Sequence, residues 1–132
     1  MMRSRYFLIV VLLGITNGFS QITIEEITIQ NQAIQLPGTL SYPEEKSPLI
    51  IWVHGSGGVD RDGNQPQYIK QFRAAVNKEN IAFFSYDKRT ANPKNSTFLK
   101  DGVFFKDFIF DVEEVFCLLY TSPIPRDGLL SR

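Results

Sequence analysis

Two short apolar runs without alternation constrain this chain most. They are "LIIWV" at residues 49–53 and "IAFFSY" at residues 81–86, with a stretch of helical spacing between them. A strand that buries only one face alternates apolar and polar residues, so an unbroken run of this length reads as a strand covered on both faces. The first run is therefore expected at the centre of a sheet. Between the runs, "QYIKQFRAAVNKEN" at 67–80 sets Tyr68, Ile69, Phe72, Ala75 and Val76 on one helical side. Lys70, Gln71, Arg73 and Lys78 fill the other side. Strand, amphipathic helix and strand in that order predict a right-handed parallel crossover.

The flanking segments extend the pattern. "ITIEEITIQ" at 22–30 alternates, and "AIQLPGTLSYP" at 33–43 reads as a second strand interrupted by Pro37 and Gly38. An antiparallel hairpin turning at Asn31 and Gln32 is expected. After the second apolar run, "FFKDFIFDVEEVF" at 104–116 repeats Phe104, Phe108, Val112 and Phe105, Ile109, Phe116 at helical intervals, predicting a second amphipathic helix. The fold class expected is α/β: an antiparallel hairpin leading into a parallel sheet with flanking helices.

Charge and cysteine content exclude several functions. The chain of 132 residues has 14 basic and 14 acidic side chains, with no basic stripe to neutralise phosphates, so nucleic acid is not an expected partner. The single cysteine, Cys117, gives neither an internal disulfide nor a multi-thiolate zinc site. At the amino terminus, "MMRSR" precedes an apolar run of ten and a polar stretch with small Gly18 and Ser20. That is the layout of a cleavable signal peptide over residues 1–20, cut before Gln21. The alternative, an uncleaved anchor, is disfavoured because a spanning helix needs about 20 apolar residues. Loss of Arg3 and Arg5 leaves 12 basic residues, and a secreted or periplasmic location with no membrane attachment follows.

The first apolar run ends in "WVHGSGG" at 52–58. A loop at the carboxyl end of a strand in an open α/β sheet is a ligand-binding position. Glycines there let backbone N–H groups approach an oxygen closely enough to stabilise an oxyanion.

With "LIIWVHGSGGVDRDGN", "FFSYDKR" and "FFKDFIFDVEEV" in this order, the chain resembles the α/β-hydrolase family over residues 34–116. The likeness is strongest to its secreted esterase, thioester-hydrolase and serine-peptidase-like (prolyl-oligopeptidase-like) branches. Thr90 departs from the pattern, where glycine usually follows Asp-Lys-Arg. The resemblance implies acyl transfer on ester, thioester or peptide bonds, with no cofactor and no metal. It implies an oxyanion hole to which Gly55, Ser56 and Gly57 belong, with Ser56 N–H the first candidate donor and Gly57 its rival. In that family the order is nucleophile, acid, histidine, so His54 comes too early to be the base, and Ser56 lies after the wrong strand to be the nucleophile. His54, Asp62, Asp87 and Arg89 are expected to structure loops.

Other side chains have plainer roles. Asp60, Asp62 and Asn64 lack the glycine position and the later glutamate of a calcium loop. Asp107, Asp111, Glu113 and Glu114 read as a solvated helix face, and Asn95-Ser96-Thr97 matches an N-glycosylation acceptor. From Cys117, "CLLYTSPIPRDGLLSR" reads as an irregular tail. It resembles translated sequencing adaptor, a genuine terminal loop being the alternative. On this basis residues 21–116 are the amino-terminal portion of a hydrolase domain. They lack nucleophile, acid and catalytic histidine, and would be inactive alone, the small-molecule acyl substrate belonging to the full-length protein. The contrasting class is a secreted non-catalytic binding module; the sequence leaves the oligomeric state open.

Expression in a secreting host is expected to yield a product starting at Gln21 or within two residues of it, read by terminal sequencing. An intact Met1 in the membrane fraction would contradict the leader assignment.

Overall fold

The computed structural model describes residues 21–121, so the leader and the tail beyond Thr121 lie outside the described residues. The elements in chain order are β1 (Thr23–Asn31), β2 (Ile34–Tyr42), β3 (Leu49–Ile51), α1 (Tyr68–Lys78), β4 (Ala82–Tyr86), a 3₁₀ turn (Pro93–Phe98) and α2 (Phe105–Thr121). They form a mixed α/β fold around one four-stranded sheet of order β1-β2-β4-β3. β2 is antiparallel to both β1 and β4, whereas β3 and β4 are parallel.

The sheet corrects one expectation directly. β3 is an edge strand among the described residues, and β4 is the buried central one. Both runs lack apolar–polar alternation, which bears on the faces of a strand and not on whether both of its edges are paired; β3 is half-buried and β4 buried throughout. The ladder continues past β3, since Trp52 N–H donates to Phe84 O at 2.8 Å. The other edge of β3 has no strand beside it among the described residues.

β2 runs unbroken through Pro37 and Gly38. Pro37 turns its carbonyl toward the β4 side, accepting from Asp87 N–H at 2.7 Å. In an antiparallel strand a residue's N–H and C=O share a side, so the donor that proline lacks would have faced past the end of β4, and the β1 ladder loses nothing. Gly38 is required by close packing: a Cβ there would lie 2.5 Å from the Phe84 ring. The hairpin turn is Gln32 and Ala33, one residue later than expected, with Gln32 at φ 54°.

The helices cover opposite faces. Phe83 and Ser85 of β4 meet α1, the Phe83 ring centroid lying 5.6 Å from that of Phe72 and Ser85 Oγ accepting from Arg73. Phe84 and Tyr86 point the other way, into a core with Ile29, Ile34, Leu36, Leu40, Val115 and Leu119.

Both helices differ from the simple amphipathic expectation. α1 buries Ile69, Arg73 and Asn77, while Tyr68 and Phe72 stay half-exposed beside Trp52. Arg73, assigned to the solvent side by its charge, is only 8% exposed because its guanidinium is used internally. α2 buries Asp111, Val115 and Leu119, and leaves Phe105, Ile109 and Phe116 exposed. It also runs to Thr121, past the end expected at Phe116, because Leu119 continues the four-residue stripe from Asp111 and Val115 into the core. Cys117 through Thr121 are thus helical rather than irregular.

Asn95 is fully buried, accepting from Gln35 N–H at 2.9 Å and donating to Gln35 O and Arg89 O. Its amide is a structural bridge and is inaccessible to glycosylation in the folded chain.

Gly38→Ala is expected to cost about 1–3 kcal/mol in urea denaturation, as overpacking does. The cost should shrink when Phe84→Leu is also present; an equal cost in both backgrounds would show that the Phe84 ring is not what requires glycine.

Candidate functional site

Four consecutive residues at the end of β4, Tyr86 to Arg89, each hold a different point of the neighbouring structure. Tyr86 O accepts from His54 Nε2, and the two rings meet edge to face with centroids 5.3 Å apart. Asp87 Oδ1 accepts from Arg61 N–H at 2.8 Å. Lys88 Nζ donates to Gly55 O at 2.7 Å and lies 4.3 Å from the Phe108 ring centroid. Arg89 forms a two-pronged pair with Asp111, both contacts at 2.7 Å, and donates to Asp107 O at 2.9 Å. The loop after β3 and the start of α2 are thereby gathered over one strand end.

The far half of that loop is held by its own polar side chains. Asp60 Oδ1 accepts from Asp62 N–H at 2.9 Å and Asn64 N–H at 2.8 Å, and Asn64 Nδ2 donates to Gly58 O at 3.1 Å. Asp62 pairs with Arg73 at 3.0 Å, tying the loop to α1. Arg73 also donates to Arg61 O and to Ser85 Oγ, and Arg61 reaches Glu26 of β1 at 3.3 Å. These aspartates are consumed by turn formation and ion pairing. Among the described residues no cluster of three or more His, Cys, Asp or Glu is placed to hold a metal ion. Gly63, at φ 90°, admits no side chain, since a Cβ would lie 2.9 Å from Ile69 N and from the Tyr68 ring.

Between loop and helix lies a cavity of about 690 Å³. One wall is residues 53–58; the floor includes Tyr86, Lys88 and Thr90; the facing wall is Phe105, Phe108, Asp111 and Val112 of α2. Gly55, Ser56 and Gly57 therefore come together at the cavity with His54, whereas Asp62 and Asp87 act from behind the loop. The N–H groups of residues 55–58 make no hydrogen bond within the described residues. Two carbonyls of the loop, Gly55 O and Gly58 O, are taken by Lys88 and Asn64. The 55–58 segment is thus held through two of its carbonyls, and its N–H groups have no protein partner.

Because Tyr86 O can only accept, His54 Nε2 carries the proton and Nδ1 is the bare nitrogen, buried without a protein partner. Burial holds the imidazole below its ordinary pKa of 6.5; the Tyr86 bond opposes that lowering and the Lys88 charge adds to it. The Asp87 carboxyl is raised, chiefly by burial and against the Arg61 N–H bond. The Tyr86 phenol is pushed up to about 12 by burial and by the Asp111 charge, so it stays protonated at neutral pH.

No known protein-family model matches the chain, and no curated protein is significantly similar to it. Among the described residues no helix is long and apolar enough to cross a membrane.

Sequence reasoning did not find the α2 wall. Phe105, Phe108 and Val112 were recognised as an apolar stripe, but such spacing says nothing of whether the stripe meets core, cavity or solvent. Asp111 was assigned to solvent and is 2% exposed. The available signal was its place at the centre of the apolar repeat, four residues before Val115, where a carboxylate requires a cation.

A histidine kept neutral in the fold is protonated first in the unfolded chain, so stability falls as pH drops below 6.5. The raised Asp87 acts oppositely, over the range upward from its ordinary 3.8, and that contribution is common to wild type and the His54 variant. Thermal midpoints measured between about pH 7.5 and 5.5 are expected to fall, and His54→Gln to flatten that slope. An equal slope in the variant would remove His54 as its cause.

Proposed function

We propose that this chain is the amino-terminal portion of a secreted or periplasmic serine hydrolase of the α/β-hydrolase family, and that the loop after β3 supplies one donor of its oxyanion hole. The observation that carries this reading is the set of unpaired N–H groups at residues 55–58, lining a cavity at the carboxyl end of β3 and β4. In hydrolases of this class one oxyanion donor comes from the loop after the third strand and the other from the residue following the nucleophile.

The chemistry is acyl transfer from an ester, thioester or peptide. A nucleophile adds to the acyl carbonyl, the oxygen becomes negative, and fixed N–H dipoles stabilise that charge without reorganising. Ser56 N–H is the proposed donor, with Gly57 beside it at φ 90°. His54 is not the general base: Nε2 is committed to Tyr86 O and the remaining nitrogen is buried. The described residues hold no nucleophile with an adjacent base, so the chain by itself is expected to be inert. The free edge of β3 supports the addition of a further parallel strand, whose carboxyl end would bring a nucleophile beside the loop.

The source DNA beyond the codon for Phe116 is expected to encode a buried strand and then a G-x-S-x-G turn. A continuation lacking a serine, cysteine or aspartate turn before the next helix would defeat the hydrolase reading. A stop soon after would favour a binding module that recruits a partner strand to β3. In the complete enzyme Ser56→Ala should cost little, because its N–H survives. Ser56→Pro should lower turnover about 10²- to 10³-fold, as loss of an oxyanion donor does.

A further inference from the structure

We infer that the cavity selects an apolar acyl group, with Phe105 and Phe108 of α2 as the residues that determine this. The inference rests on the hydrolase reading for the orientation of the ligand, with its carbonyl or carboxylate oxygen at residues 55–57 and its body across the cavity. The opposing walls differ in kind. The loop offers N–H groups without partners, and the helix offers Phe105, Phe108 and Val112, continued by Val53 at the end of β3.

Charge completes the selection. The only carboxylate in the lining, Asp111, is neutralised by the two-pronged Arg89 contact and by Asn31 Nδ2 at 2.8 Å. Lys88 is the remaining charge, and its ammonium is held between Gly55 O and the Phe108 ring. The site therefore favours an oxygen acceptor or anion at one end, and has no free polar side chain on α2 to satisfy a polar group at the other. A second carboxylate or a hydroxylated chain would face aromatic carbon on this wall, which offers it no hydrogen-bond partner. A volume of about 690 Å³ suits a substantial apolar body rather than an acetyl group.

Phe105 is the residue to vary, because it is 80% exposed and supports no core contact on which folding depends. Octanoate serves as the probe and succinate as the polar control, with binding to the intact chain followed by calorimetry. Octanoate is expected to bind and succinate not; Phe105→Ser should weaken octanoate about tenfold, while Phe105→Leu retains most of the affinity. Equal binding of the two acids, no binding of octanoate, or indifference to Phe105→Ser would overturn the inference. Dependence on Phe105 together with indifference to Ser56→Pro would uphold the apolar wall and remove the loop as the oxygen site, separating this inference from the reading on which it rests.

Discussion

The buried pair between Arg89 and Asp111 is the interaction on which the rest of the structure depends. It joins the segment just beyond β4 to the middle of α2, and Asn31 adds the hairpin end to the same carboxylate. Asp111 favours the charged form of Arg89, whose pKa is raised chiefly by that hydrogen bond and against its own burial. An apolar contact of equal area could slide along the helix; a bidentate pair admits one register. Removing one partner of such a pair leaves an uncompensated buried charge, typically costing about 3–5 kcal/mol. Here it would also unseat the cavity's helical wall and expose a carboxylate beside the donors.

A second polar layer lies on the opposite face of β4. Arg73, Ser85, Arg61 and Asp62 form one connected set under α1, extended through Glu26 to Thr39. The α2 face carries less of this kind: an apolar core including Phe84, Leu36 and Val115 lies beside the single Arg89–Asp111–Asn31 cluster. The asymmetry has a structural reason. The α1 face must also anchor a long loop with little secondary structure, and such a loop has backbone groups that need fixed partners.

Much of the fold was legible in the sequence because its strands and helices obey their periods. The hairpin, both apolar strands and both helices lie where period-two, unbroken and helical spacing put them, apart from shifts at their ends. What was not legible shares a cause. The edge position of β3, the inward turn of Arg73 and Asp111, and the burial of Asn95 all depend on partners distant in the chain, and local spacing does not encode partners. The same holds for the site. The glycine loop was visible as a strand-end turn, but its opposing wall lies about 50 residues further on, brought across by the Arg89 pair together with the core contacts of Val115 and Leu119.

The motif Tyr-Asp-Lys-Arg thus acquires a physical meaning that its composition does not suggest. Each residue uses a different group: a backbone carbonyl, a carboxylate, an ammonium and a guanidinium. Three of the four act on the loop after β3, and the ammonium and the Asn64 amide take loop carbonyls rather than loop N–H groups. In a trans peptide the carbonyl and the following N–H point in opposite directions, so the Lys88 bond to Gly55 O turns Ser56 N–H away from the ammonium. The choice of cationic and amide donors as fasteners therefore leaves the N–H groups of residues 55–58 without protein partners, the feature on which the proposed oxyanion role rests.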